Sequence, residues 1–183
     1  MTPILLLLLA CGDPKPETPA PEQVPSPAPA AGHVATDALG WLGSVSQGVG
    51  HCSASERALF SCEVEGPKHI SLCSDDTLDA LQYRFGPLGT PELAAPASSA
   101  VSAFSSAHTA WASGQEHSVW LSNQGVVYRL VSAAGSGIDG ASNNYSGVRI
   151  LQAGRELGFV QCANGAAVDH LNMLGPWLSD KTR

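Results

Sequence analysis

The sequence predicts a small all-β domain: an antiparallel meander closed as a barrel or sandwich, stapled by disulfides and ending in a short C-terminal helix. Three observations predict it. Short runs alternate apolar and polar residues with a period of two, tight-turn residues separate those runs, and five cysteines accompany a chain that is only 6% aromatic. A core so poor in aromatic bulk calls for covalent support, which cysteines supply in an oxidising compartment.

The first strands lie in residues 60–85. Phe60, Cys62 and Val64 share one face, while Ser61, Glu63 and Glu65 take the other. Glu65-Gly66-Pro67-Lys68 turns the chain and Ile70 and Leu72 resume the apolar face. After the polar break at Cys73-Ser74-Asp75-Asp76, Leu81, Tyr83 and Phe85 alternate with Gln82 and Arg84. Gly86-Pro87 and Gly89-Thr90-Pro91 read as two turns, and Arg84 and Glu92 flank them closely enough to pair across the bend. Such a pair is structural; a ligand-binding Arg84 is the alternative.

Residues 94–114 are rich in Ala and Ser, yet Val101, Phe104, His108 and Trp111 recur at helical spacing. A short helix or an irregular flap across the sheet fits, and the flap is preferred. The strand pattern resumes at His117 with HSVWLSN and VVYRLVS, joined at Asn123-Gln124-Gly125. A long Gly/Ser/Asn loop, residues 133–147, then holds Asp139, Asn143, Asn144 and Tyr145. Long loops often carry function, so Asp139, Asn143 and Tyr145 join Arg84 as candidate binding residues. The last hairpin is GVRILQA and ELGFVQC, turning at Gly154-Arg155 and ending at Cys162. Beyond it Asn164 caps a predicted helix through Val168, Leu171 and Leu174, stopped by Gly175-Pro176.

At the N-terminus, the apolar run of residues 4–10 is far shorter than the roughly 20 residues a membrane span needs, so it reads as the core of a signal peptide. Leu8-Leu9-Ala10-Cys11 resembles the lipobox of bacterial lipoproteins. That resemblance implies that Cys11 becomes a lipidated N-terminus anchoring the protein to the membrane. In the same proteins Gly12 after the cysteine implies the outer membrane. Residues 12–32 contain seven prolines and bury nothing. As polyproline II, at about 3.1 Å per residue, they form a spacer of roughly 60 Å. The expected organisation is a signal peptide at 1–10, lipidated Cys11 and spacer at 11–32, a linker or short helix at 33–50, and one β domain at 51–183.

Phe60-Ser61-Cys62, Leu72-Cys73, Tyr83-Arg84-Phe85-Gly86, Gly89, Glu92-Leu93 and Cys162 together resemble a family of uncharacterised secreted and lipoprotein-type bacterial proteins. The resemblance implies an exported β fold and brings no activity with it.

Setting Cys11 aside leaves Cys52, Cys62, Cys73 and Cys162, which allow three pairings. If Cys62 faces the core with Ile70 and Leu72, Cys73 points to the opposite face and cannot reach it. Val160 and Cys162 alternate inward, so the expected disulfides are Cys62 with Cys162 and Cys52 with Cys73.

A net charge of −7 without any Lys/Arg cluster excludes nucleic acid as a partner. No G-x-S-x-G occurs, which excludes an α/β hydrolase. His33, His51, His69, His108, His117 and His170 form no H-E-x-x-H and no closely spaced pair, and C-x-x-C is missing. They read as scattered surface histidines; no metal and no cofactor are expected. The 133–147 loop does not have the spacing of an EF-hand. Nothing joins a nucleophile to a base. The expected function is therefore a non-enzymatic envelope lipoprotein that binds a protein or glycan partner. The alternative is a small envelope hydrolase with a site in residues 133–147.

Overall fold

The computed structural model describes residues 36–136, 140–175 and 177–180. Strands β1 (Arg57–Glu63), β2 (Lys68–Ser74), β3 (Leu81–Pro87) and β4 (Leu93–Ala95) come first. They are followed by β5 (Phe104–Trp111), β6 (Gly114–Asn123), β7 (Val126–Gly135), β8 (Tyr145–Gln152) and β9 (Arg155–Gln161). The short β10 (Val168–Asp169) and β11 (Ser179–Asp180) close the series. Single 3-10 segments occupy Thr36–Ser44, Val101–Ala103 and Leu171–Met173.

Two sheets result, with strand orders β10-β1-β2-β3-β4 and β11-β5-β6-β7-β8-β9. Every pairing is antiparallel except that of β11 with β5. Alternation builds the core. Phe60, Ile70, Leu72, Leu81 and Tyr83 of the first sheet and Phe104, Val119, Leu121, Leu130 and Val148 of the second belong to one buried apolar cluster. Tyr83 and Tyr128 stack from opposite sheets at 5.6 Å. Each fully buried large side chain stabilises the fold by about 1.5–3 kcal/mol.

The sheet does not close into a barrel, because β9 and β11 remain at the two ends of the second sheet's strand order. The sheets are joined covalently instead. Cys62 on β1 is bonded to Cys162 just past β9, and Val64 bridges Cys162 through its backbone.

Three further expectations are corrected. The C-terminal helix is absent: Val168 and Asp169 pair with Ser61 and Phe60 on the edge of β1, and only a 3-10 turn follows. The edge of β1 offers those backbone groups ladder partners, and Leu171 and Leu174 reach the core from the turn. Apart from the 3-10 turn at Val101–Ala103, residues 94–114 form neither helix nor flap. They supply β5, whose buried Ser105, Ser106 and Ala107 are too small to give a readable alternation.

The third correction concerns Arg84. It does not pair with Glu92, whose carboxylate binds Lys68 at 2.8 Å. Arg84 sits in a row with Ser71 and Ser61 on the outer face of the first sheet, and residues 45–56 lie across that face as a strap. Its guanidinium therefore meets Glu56, donating Nη1 to Oε2 and Nη2 to Oε1 at 2.7 Å each, and it also donates to the His51 carbonyl at 2.8 Å. The Cys52–Cys73 disulfide fastens the same strap, and Ser71 Oγ accepts from His51 N at 3.0 Å. Gly50 is required here: its φ is +63°, and a Cβ would strike the hydroxyls of Ser61 and Ser71. Covered on both faces, β1 and β2 are almost wholly buried.

Candidate functional site

The outward face of the second sheet carries a connected array of polar and aromatic side chains. Along β6, Val119 and Leu121 point inward, which turns Glu116, Ser118 and Trp120 outward. On β7 the inward Leu130 leaves Arg129, Val131 and Ala133 outward, and on β8 the inward Val148 leaves Tyr145, Gly147 and Arg149. The register aligns these strands into rows. Trp120, Arg129, Arg149 and Phe159 lie side by side across β6 to β9, and Ser118, Val131, Gly147 and Gln161 form the next row.

Arg129 and Arg149 are direct cross-strand neighbours, an arrangement that costs energy unless each charge is compensated. Both are. Arg129 Nη2 donates to Glu116 Oε1 at 3.0 Å and to Ser118 Oγ at 2.9 Å, and its guanidinium lies 5.8 Å from the Trp120 ring centre. Arg149 binds Glu156 at 3.1 Å, and its guanidinium lies 4.9 Å from the Phe159 ring and 5.5 Å from the Tyr145 ring. Tyr145 and Phe159 meet edge to face at 6.0 Å, and Tyr145 donates its hydroxyl to Glu116 Oε2 at 2.7 Å. Glu116 thus links the two halves, accepting from Arg129 on one oxygen and from Tyr145 on the other.

Small residues make room for this layer. Ser118, Val131 and Gly147 are buried beneath the longer side chains. Gly147 has φ +154°; a Cβ there would meet the Val160 carbonyl and lie 3.0 Å from Phe159 Cε2. Burial raises the pKa of Tyr145, and its hydrogen bond to Glu116 raises it further, so the hydroxyl stays a donor. Burial opposes the charge on Arg149, but Tyr145 and Glu156 outweigh it and raise its pKa.

Of the residues expected to bind, Tyr145 belongs to this array. Asn143 is exposed at the approach to β8, where its backbone N–H donates to Gly135 O at 2.9 Å. Arg84 belongs to the strap on the other sheet and is only 17% exposed, with its guanidinium committed to Glu56. Asp139, and Cys11, which is expected to carry the lipid, lie outside the described residues. The described part of the 133–147 loop holds no carboxylate, histidine, lysine or arginine, and β7 and β8 with the Ser136–Ser142 bridge take up much of it.

Glu116, Trp120, Arg129, Arg149 and Phe159 were legible as outward positions once Val119, Leu130, Val148 and Val160 are set inward, but only strand register shows that they adjoin. The histidines also need correcting. His108 and His117 are not scattered: as cross-strand partners on β5 and β6 they stack at 4.4 Å with planes 11° apart. Among the described residues no three His, Cys, Asp or Glu side chains gather to hold a metal, and no helix is long and apolar enough to cross a membrane. The chain matches no family model, no curated protein and no solved structure.

Proposed function

We propose that this protein is a lipid-anchored, non-enzymatic binding module of the bacterial cell envelope, a disulfide-stapled β-sandwich that engages a protein partner through the outward face of its second sheet. In this reading Cys11 carries the lipid, residues 12–32 hold the domain off the outer membrane, and the sheet face built on Arg129 and Arg149 meets the partner. The resemblance of Leu8-Leu9-Ala10-Cys11 to a lipobox supports the anchor, and the Cys52–Cys73 and Cys62–Cys162 bonds are in keeping with an oxidising compartment. Of the motif residues, Phe60, Cys62, Leu72, Cys73, Tyr83 and Cys162 are core or disulfide positions and Gly89 and Glu92 are exposed, and none belongs to the Arg129/Arg149 array, so any kinship they reflect supports the fold and not the partner.

The observation that carries the partner assignment is the paired Arg149 and Arg129, each held against aromatic rings and a carboxylate. Trp, Tyr and Arg dominate the energetics of protein interfaces, and rigidly held side chains lose little entropy on binding. A guanidinium already lies over the Trp120, Tyr145 and Phe159 rings, so a sugar would have to compete with it for those faces; this favours a protein over a glycan.

A photo-crosslinking residue at the exposed Gln161, beside Phe159, tests the proposal in intact cells against a control at Leu88, which is 53% exposed. The expected result is a discrete protein adduct from position 161 only, lost in the Trp120→Ala/Arg149→Ala variant. Identical adducts from both positions, or adducts indifferent to that variant, would overturn it. Fatty-acid labelling that is equal in the wild type and Cys11→Ala would overturn the anchor.

A further inference from the structure

The inward face of the second sheet changes character beyond the apolar core. Phe104, Leu121 and Tyr128 form one row, and Ser106, Val119 and Leu130 the next. The row after that is His108, His117 and Ser132, followed by Ala110, Gln115 and Ala134. Asp169 at the end of β10 and the Leu171–Met173 turn stand opposite these polar rows. A cavity of about 220 Å³ is lined by Gln115, His117, Ser132, Ala134, Asp169 and Asn172. A second, of about 310 Å³, adjoins it across His117 and Asn172 and is lined also by Ser106, Ala107, His108, Leu171 and Gly175.

Charge and shape narrow what such a trough can hold. Among the described residues neither cavity has a Lys or Arg in its lining, and Asp169 is the one acid there. Asp169 accepts from Ser132 Oγ on Oδ2 and from Leu171 N at 3.2 Å on Oδ1, and it takes part in none of the ion pairs among the described residues. An anion would meet the Asp169 carboxylate with no Lys or Arg among the described lining residues to hold it. A large apolar ligand would have to strip water from two amides, an imidazole and a carboxylate without replacing their hydrogen bonds. The first cavity, at about 220 Å³, is small, below the range of drug-sized pockets and on the scale of a single ring. What suits it is a compact molecule rich in hydroxyls that also carries a positive charge.

We infer that this trough binds a primary ammonium carried on a polyhydroxylated ring, with Asp169 receiving the ammonium and Gln115, His117 and Asn172 the hydroxyls. A side-chain amide offers an acceptor and donors side by side, and a carboxylate offers two acceptor oxygens, which matches neighbouring hydroxyls and an ammonium on one ring. The stacked His108 ring backs His117 and limits its rotation, so the imidazole is presented in a fixed orientation. The site lies on the face of the second sheet opposite the Arg129/Arg149 array and stands independently of that array's function.

The test is an amide-resolved NMR titration of the full chain at pH 7 with glucosamine, glucose and glucuronate. Glucosamine is expected to give saturable shifts at Gln115, His117, Ser132 and Asn172, glucose weaker ones, and glucuronate none. Asp169→Asn should weaken glucosamine at least about tenfold, as expected on losing one charge-assisted hydrogen bond, and leave glucose unchanged. Because Asp169 also holds the Leu171 turn, Asn172→Leu at an exposed position serves as a second variant; it fills the trough and should abolish the shifts. Glucosamine binding no tighter than glucose, undiminished in Asp169→Asn, or unaffected by Asn172→Leu would overturn the proposal, as would the absence of saturable shifts with all three probes.

Discussion

Arg84 and Glu56 grip each other through two hydrogen bonds of 2.7 Å, and through that grip residues 45–56 are held against the outer face of the first sheet. The two side chains are 17% and 24% exposed, so the pair is worth more than a surface ion pair and less than a fully buried one. Glu56→Gln should destabilise the protein by about 1.5–3 kcal/mol, the range for hydrogen bonds to charged groups. Urea denaturation checks this, and the Glu92→Gln variant, which loses only the exposed Lys68 contact, should cost well under that.

The same pair sets an acid response. The Arg84 hydrogen bond draws the Glu56 carboxyl from its ordinary 4.5 to about 2, against the opposing effect of burial. A depressed folded-state pKa means that its contribution is fully present above 4.5 and is lost as pH falls toward 2. The stability difference between wild type and Glu56→Gln should therefore be flat above pH 4.5 and shrink below it. A difference that stays constant down to pH 2 would show that Glu56 does not titrate with folding.

The two disulfides close loops of very different size, with sequence separations of 21 and 100. In the chain-entropy model, removing Cys52–Cys73 as the double Ser variant should cost about 3 kcal/mol and removing Cys62–Cys162 about 4–5 kcal/mol. Their local effects should differ as well. Loss of Cys52–Cys73 should speed amide exchange in residues 45–56 and leave β6 to β8 protected.

Gly147→Ala should be far more damaging than Gly66→Ala. Both glycines have positive φ, +154° and +82°, but an added Cβ at Gly66 meets nothing within 4 Å while at Gly147 it meets the backbone of β9. The expected cost is about 3 kcal/mol at Gly147, the upper end for overpacking, and about 1–2 kcal/mol at Gly66, the cost of a left-handed L-residue. Thermal unfolding compares them, and the Phe159 ring signals should shift only in the first.

How much of this was legible from the residues follows from side-chain size. Alternation was readable wherever large apolar residues carried it: Phe60 and Cys62, Ile70 and Leu72, Val119 and Leu121. It failed at β5, where Ser105, Ser106 and Ala107 blur the two faces, and at β10, whose two residues form a strand only because the edge of β1 is there to pair with. Side-chain partners were less accessible than strands. Arg84 and Glu92 are near in sequence, yet the pairing of Arg84 with Glu56 depends on a strap crossing the sheet, which no local spacing encodes. The outward array had the same difficulty: its members come from β6 to β9 and adjoin only through register. Tyr145 was reached from its loop, and its neighbours were not.

The stacked His108 and His117 lead to the last prediction. Burial lowers the pKa of His117, the neighbouring His108 lowers it further when charged, and Asp169 pulls the other way. His117 should thus titrate below its ordinary 6.5 in a pH series of imidazole NMR spectra. Removing the repulsion with His108→Ala should raise it, and removing the attraction with Asp169→Asn should lower it further. The consequence for stability follows from proton binding. The unfolded chain takes up a proton at His117 near 6.5 while the folded chain does so only at lower pH, so acidification through that window favours unfolding. His117→Gln, which cannot titrate, should remove this part of the pH dependence while the Glu56 response at lower pH persists. A His117 pKa that is unmoved by both His108→Ala and Asp169→Asn would show that the three side chains are not electrostatically coupled.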